Sequence, residues 1–382
     1  MQAAQPRYHA IDHLRATMIS IVMFGHAILP YVTIPRRFKD PQTHLGFDVV
    51  AVFLYSFAMP AFFVTAGFST ALILHRKGMR GLIKNRVQLI FLPLLAAYLV
   101  LSPVTRGAYK FATHVTHTGS IQGGIDAVLV LDWIRLSKPY HLWFLLSLLI
   151  FTVLAIGLRW AVLNGAGGKK ENLRSLSRSL LTSRWNTTFG IFIVALTMVP
   201  AYVMYGSDAT TWAMQLTLFV FFLGGWLLYL HRDVLPDLQH HPWRPITIAV
   251  VTLALAVWSV RARLQTPDDP QLILGLIAGV SQSILAVCMT SGLVGLYYAR
   301  FNQPSALGSY VSDASYWIYL IHYPLLIAVA GALTVTPFPA VVKYLLTVSV
   351  VVPIVLLSYQ FGVRNTPVGR LLKSRRNKRN DA

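Results

Sequence analysis

One cysteine, Cys288, stands among 382 residues, and it lies inside an apolar run. An intrachain disulfide is therefore impossible, and cysteine use says nothing about compartment. Charge is scarce as well: 12% of residues are charged, with 13 Asp and Glu against 33 Lys and Arg. At 55% hydrophobic residues, the chain is too apolar and too long for one soluble core. The period-two alternation of barrel strands is missing, which argues against a membrane β-barrel. Neither a GxGxxG nor a Walker pattern occurs, so nothing supports ATP-driven chemistry. No repeat of fixed period and no inverted halves are visible, which counts against many secondary-transporter plans. His240 and His241 have no carboxylate or cysteine at ligand spacing, and no metal is expected.

What the chain does contain is a series of apolar runs near the length that spans a bilayer. Ten are expected: residues 14–34, 47–74, 87–104, 140–158, 189–205, 211–230, 246–260, 272–298, 310–334 and 341–361, the seventh being the weakest. In lipid such runs must be helices, because only a helix or a closed barrel satisfies its own backbone. The expected fold is all-α, a polytopic transmembrane helical bundle of about ten helices. With the N-terminus inside, segments on the inner side carry 22 Lys and Arg and those on the outer side 10, Arg15 being the last of the 33. That bias places both termini in the cytoplasm.

Residues 1–13 are then a cytoplasmic N-terminus, 14–361 the membrane domain and 362–382 a basic cytoplasmic tail. The first span is expected to be a retained anchor, being too long for a signal peptide and lacking an A-x-A-type cleavage site. The basic tail reads as a topology signal or a contact for anionic lipid, and no nucleic-acid partner is expected. Two long connections remain: 105–139, expected outside, and 159–188, a Gly-, Ser- and Arg-rich linker expected inside.

Titratable groups inside the spans are few: Arg15, Asp48, Asp313 and Lys343, with His26, His141 and His322. An ionisable residue at the bilayer centre costs about 2.5–3.5 kcal/mol, so each marks a candidate site. Eleven residues of helix place Arg15 and His26 on one face, about 16 Å apart. His26 and His322 lie at matched depth and could meet. His26 suits a general base, since an imidazole takes a hydroxyl proton and returns it near neutral pH. Arg15 stays charged and forks onto phosphate or carboxylate, with Asp12 as its helix-entry partner. Arg76, Lys77, Arg80, Lys84 and Arg86 form a dense cationic segment, read as a loop after the second span. It serves either as a topology signal or as a platform for a nucleotide-like anion such as the phosphates of coenzyme A. His141 at the outer end of its span suits acceptor contact or interfacial anchoring.

These motifs together resemble the membrane acyltransferase-3 family. Ile11-Asp12-His13-Leu14-Arg15 followed by His26 is similar to its opening signature, and Phe62-Phe63-Val64-Thr65-Ala66-Gly67-Phe68 to its second-helix motif. His141-Leu142-Trp143-Phe144-Leu145 resembles its mid-chain motif, and residues 314–324, ending Ile321-His322-Tyr323-Pro324, its late helix. Within the family the chain looks most like the branch that succinylates osmoregulated periplasmic glucans. The resemblance implies a multi-pass protein of the bacterial inner membrane that moves an acyl group from cytoplasmic acyl-CoA to a glycan hydroxyl on the far side. Succinyl-CoA is the favoured donor and acetyl-CoA the next, with no tightly bound cofactor. Arg15 and His26 match the family's essential pair. One departure is Leu89, which occupies the position where a second arginine is usual before Pro93.

On this reading His26, Arg15 and His322 are the catalytic candidates, and Arg15, Arg76, Arg80, Lys84 and Arg86 hold the donor. His141, Trp143, Tyr319 and Asp48 are candidates for acceptor contact or for donation to the oxyanion. The competing expectations are O-acetylation of lipopolysaccharide or another surface glycan, a proton-coupled transporter relaying through His26, His322 and Asp48, and a lipid scaffold. Oligomeric state is not legible.

Overall fold

The computed structural model describes residues 8–34, 36–136, 138–165, 186–205, 211–265, 272–367 and 369. Among them there is no strand. Ten long helices follow one another: α1 (His9–Ile28), α2 (Leu45–Arg86), α3 (Leu92–Thr118), α4 (Trp143–Gly165), α5 (Asn186–Tyr205), α6 (Trp212–Leu230), α7 (Trp243–Gln265), α8 (Leu272–Arg300), α9 (Ala306–Leu333) and α10 (Ala340–Leu357). Each expected span falls on one of them in order, including the seventh on α7. Eight stretches are long and apolar enough to cross a membrane; one of these, Leu45–Thr118, contains two expected spans, and Thr188–Met204 in α5 is a shorter apolar helix. The chain is thus an all-α, multi-pass membrane protein.

Helices outrun the apolar runs that announced them. α1 begins at His9, five residues before the expected start, with Asp12 in its first turn where the helix dipole favours an acid. It gives way at Ile28 to a 3₁₀ turn, Leu29–Tyr31, that contains Pro30. The cationic segment expected as a loop is helical, because only Gly78, at φ 65° and ψ −175°, interrupts α2 before Arg86. A π-helical turn, Val87–Phe91, then leads directly into α3. Much of the expected outer connection is helix too. α3 runs past Arg106 and Lys110 until Gly119 ends it in the left-handed region, and Ser120 caps a short helix, Ile121–Leu129. Residues 166–185 of the expected linker and 370–382 of the tail, with Lys373 to Arg379, lie outside the described residues.

The chain divides into two compact units. The first comprises Met1–Met18, Tyr55–Leu82 and Ser147–Gly308, the second Ile19–Leu54, Ile83–Leu146 and Ser309–Ala382. In the first, α2 and α6 touch backbone to backbone. A Cβ on Gly67 would lie 1.9 Å from the Phe222 carbonyl oxygen, and one on Gly225 would lie 1.9 Å from that of Val64. Small residues let membrane helices approach this closely, and van der Waals contact then does the work that the hydrophobic effect does in water. Phe63, Phe151, Phe219 and Phe222 fill the space beside them.

Candidate active site

Among the described residues, the buried charged side chains, Asp40, Asp48 and Lys343, all lie in the second unit, together with buried His141 and His322. Since α1 starts early and stops at Ile28, His26 occupies its last turn. Its Nδ1 lies 2.9 Å from Nε2 of His322 on α9, and the two rings are nearly parallel, 8° apart with centroids 5.2 Å apart. The expected meeting of these two histidines is a direct hydrogen bond.

That bond has a direction. Nδ1 of His322 is 2.9 Å from the Ile318 carbonyl oxygen, which can only accept, so His322 carries its hydrogen on Nδ1. In the neutral ring Nε2 is then an acceptor, and His26 must donate to it from Nδ1. The lone pair of His26 is left on Nε2. His322 therefore orients His26 and selects its tautomer, the service that the partner of a catalytic histidine renders.

His141 precedes α4 in the 3₁₀ turn Tyr140–Leu142. Its Nε2 donates to the Leu320 carbonyl oxygen at 3.0 Å, and the Tyr319 hydroxyl donates to its own carbonyl oxygen at 2.7 Å. These two bonds stitch the turn to α9. They commit the Tyr319 hydrogen to backbone, while Nδ1 of His141 is buried without a partner. Tyr140 holds φ 46°, a left-handed conformation that costs a bulky residue about 1–3 kcal/mol. The strain turns His141 inward against Tyr323, ring centroids 4.9 Å apart, and lays Tyr140 along Tyr109 at 5.7 Å.

A cavity of about 180 Å³ opens beside His26, lined by Leu29, Pro30, Arg36, Arg37, Phe38, Tyr109, Tyr323, Leu326 and Ile327. Tyr323 sets its ring edge-on to His26 at 4.8 Å and shares a 2.8 Å hydrogen bond with the Tyr109 hydroxyl. Arg37 stacks over the Tyr109 ring at 4.6 Å and donates to the Tyr140 hydroxyl at 3.4 Å.

The segment that carries the two arginines is braced from beneath. Lys343 of α10, fully buried, reaches both carboxylate oxygens of Asp40 at 3.0 Å. The Tyr31 hydroxyl lies 3.2 Å from that of Thr347 on the same helix. Burial pushes the Asp40 carboxyl above the usual carboxylate range, while the Gln42 N–H and the Lys343 ammonium pull it back. Such a pair is weak evidence of net stability, but removing one partner leaves an uncompensated buried charge.

The remaining expected site residues fall elsewhere. Asp48 is buried at the start of α2, where its carboxylate accepts from the Thr33 N–H at 2.7 Å and from the Thr33 hydroxyl. It secures the turn after α1 and is not among the cavity-lining residues. Trp143 opens α4, half-buried, with its ring against Phe144. Arg15 belongs to the first unit and pairs with Asp12 at 3.3 Å, as its spacing led us to expect. Arg76 and Arg80 are exposed in the first unit. Lys84 is exposed and Arg86 half-buried in the second, with Leu89 in the π-helical turn. Sequence reasoning missed Tyr109, Tyr323, Arg36 and Arg37. Two signals were available: Tyr323 adjoins His322 in the late-helix motif, and the arginines form a basic doublet on the side poorer in Lys and Arg.

Comparison with known proteins gives the class. The sequence profile of an acyltransferase domain matches residues 8–360, so the chain belongs to the membrane acyltransferase-3 family. It is similar to the glucans biosynthesis protein C of Salmonella heidelberg (strain SL476) and of Salmonella typhi, each 23% identical over 94% of this chain and 92% of the relative. The protein of that name from Salmonella schwarzengrund is 22% identical over the same shares. No solved structure matches. The protein is a membrane acyltransferase.

Proposed function

We propose that this chain takes an acyl group, succinyl ahead of acetyl, from acyl-CoA on the cytoplasmic side of the bacterial inner membrane. The acceptor is a hydroxyl of a periplasmic glycan such as an osmoregulated periplasmic glucan. The observation that carries this reading is the bonded pair His26 and His322, which leaves the His26 lone pair on Nε2 beside a cavity. Similarity to proteins named glucans biosynthesis protein C supports the glucan acceptor. The inward bias of Lys and Arg supports cytoplasmic termini, and Arg15, Arg76, Arg80, Lys84 and Arg86 then face the side from which the donor comes.

In the reaction, Nε2 of His26 takes the hydroxyl proton as the oxygen attacks the thioester carbonyl carbon. A new C–O bond forms and negative charge builds on the carbonyl oxygen. A phenol of the pair Tyr109 and Tyr323 donates to that oxygen; Tyr319 is held by the His141 carbonyl oxygen. Collapse breaks the C–S bond, and the departing thiolate takes the proton from His26 to leave as free coenzyme A. His322 takes no proton itself. It acts through His26.

The test is His26→Ala in cells, with mass spectrometry of periplasmic glucans and lipopolysaccharide from wild type, variant and deletion strains. General-base loss should lower acylation about 10²–10⁴-fold. The added mass in the wild type identifies both acyl group and acceptor, and undiminished acylation in the variant sinks the assignment.

A further inference from the structure

Resting on that acyl-transfer reading, we propose that Arg36 and Arg37 bind a carboxylate at the far end of the transferred acyl chain. The cavity then selects a dicarboxylic acyl group over a neutral one of equal length. Both arginines line the same space as His26, and the lining contains no carboxylate. The nearby acids are engaged: Asp40 by Lys343 and Asp48 by Thr33. Arg36 makes no ion pair among the described residues. The Arg37 guanidinium carbon lies over the Tyr109 ring, 4.6 Å from its centroid, and one N–H reaches the Tyr140 hydroxyl, which holds the group at the cavity; a guanidinium there has further N–H donors for a carboxylate.

Size agrees with this assignment. Water occupies about 30 Å³ per molecule in the liquid, so 180 Å³ is room for roughly six waters, enough for a short acyl chain. Sites for drug-sized ligands run to about 300–1,000 Å³, so a whole oligosaccharide does not fit. Leu29, Leu326 and Ile327 present apolar surface to the methylene groups of such a chain. The Asp40–Lys343 pair and the Tyr31–Thr347 bond anchor the backbone on either side of the two arginines, whose side chains are exposed at the cavity mouth.

The experiment uses the full chain purified in detergent, with the succinyl, butyryl and acetyl thioesters of coenzyme A and a neutral glucan acceptor. In R36A/R37A the succinyl-to-butyryl rate ratio should fall about tenfold or more, the worth of one lost hydrogen bond to a charged group. R37K, which keeps charge but loses the fork, should fall in between. An unchanged ratio overturns the proposal, as does a loss that follows the charge of a phosphorylated acceptor instead of the acyl chain. Thermal unfolding at matched ionic strength gives a second readout that needs no turnover. Succinate should stabilise the wild type more than butyrate does, and the double variant should lose that difference; equal stabilisation of wild type by both also overturns the proposal. Absence of any acyl transfer by the wild type would refute the proposed function while this binding measurement still decides the arginine pair.

Discussion

The two compact units differ in the polar groups they bury: the first buries hydroxyls, an amide and two histidines, whereas the second also buries the charged Asp40, Asp48 and Lys343. In the first, glycine removes the side chain so that α2 and α6 meet backbone to backbone, and phenylalanine fills the remainder. In the second, half-buried His26 bonds to buried His322, half-buried Tyr109 to Tyr323, and buried Lys343 to Asp40. Apolar contact tolerates small adjustments, whereas a buried polar group must find its partner or incur the cost of desolvation. The second arrangement is the more expensive to build, and it is also the one that can hold reactive groups in fixed orientation. The difference teaches that buried charge, rather than polarity in general, accompanies the candidate site.

The comparison breaks most severely at Lys343→Met. It strands a buried Asp40 and should destabilise the protein by about 3–5 kcal/mol, measured as detergent-resistant thermal unfolding. Pairing it with Asp40→Leu should restore much of the loss, because two apolar residues leave no buried charge. Gly225→Ala tests the other unit. Its new Cβ meets the Val64 carbonyl oxygen, so α2 and α6 must separate at a cost of about 1–3 kcal/mol. A Tm equal to that of wild type would refute the close contact.

His322→Gln sharpens the comparison by separating chemistry from stability. Loss of the orienting acceptor should lower acyl transfer about 10–100-fold, the equivalent of one hydrogen bond at the reacting base, with Tm changed little. A fall in Tm without a fall in rate would make His322 structural. Smallest of all is Asp132→Asn. This residue pairs with Lys110 at the surface, and that bond holds its carboxyl below the usual range. Water screens an exposed pair of this kind, so Tm should not move.

Much of the fold was legible because a bilayer leaves the chain so few options. Each apolar run had to become a helix, and each did. Helix ends were less legible: hydropathy marks where lipid stops, whereas α3 continues through Arg106 and Lys110 until Gly119 breaks it. His26 and His322 could be matched by depth alone. The depth argument could not find Tyr109, Tyr323 or Arg37, because which helix faces sit side by side is decided by lateral packing, and no periodicity within a single segment records it. Asp40 was invisible for a related reason. It reads as an ordinary loop acid until Lys343 is brought beside it.

The partners in that pair are 303 positions apart. Asp40 therefore leaves the ribosome long before its counter-ion exists, and the lip bearing Arg36 and Arg37 cannot take its final set until α10 has been inserted. A nascent chain halted after α9 would already possess both imidazoles yet lack the clamp beneath that lip. Insertion of α10 is thus the step that sets this segment.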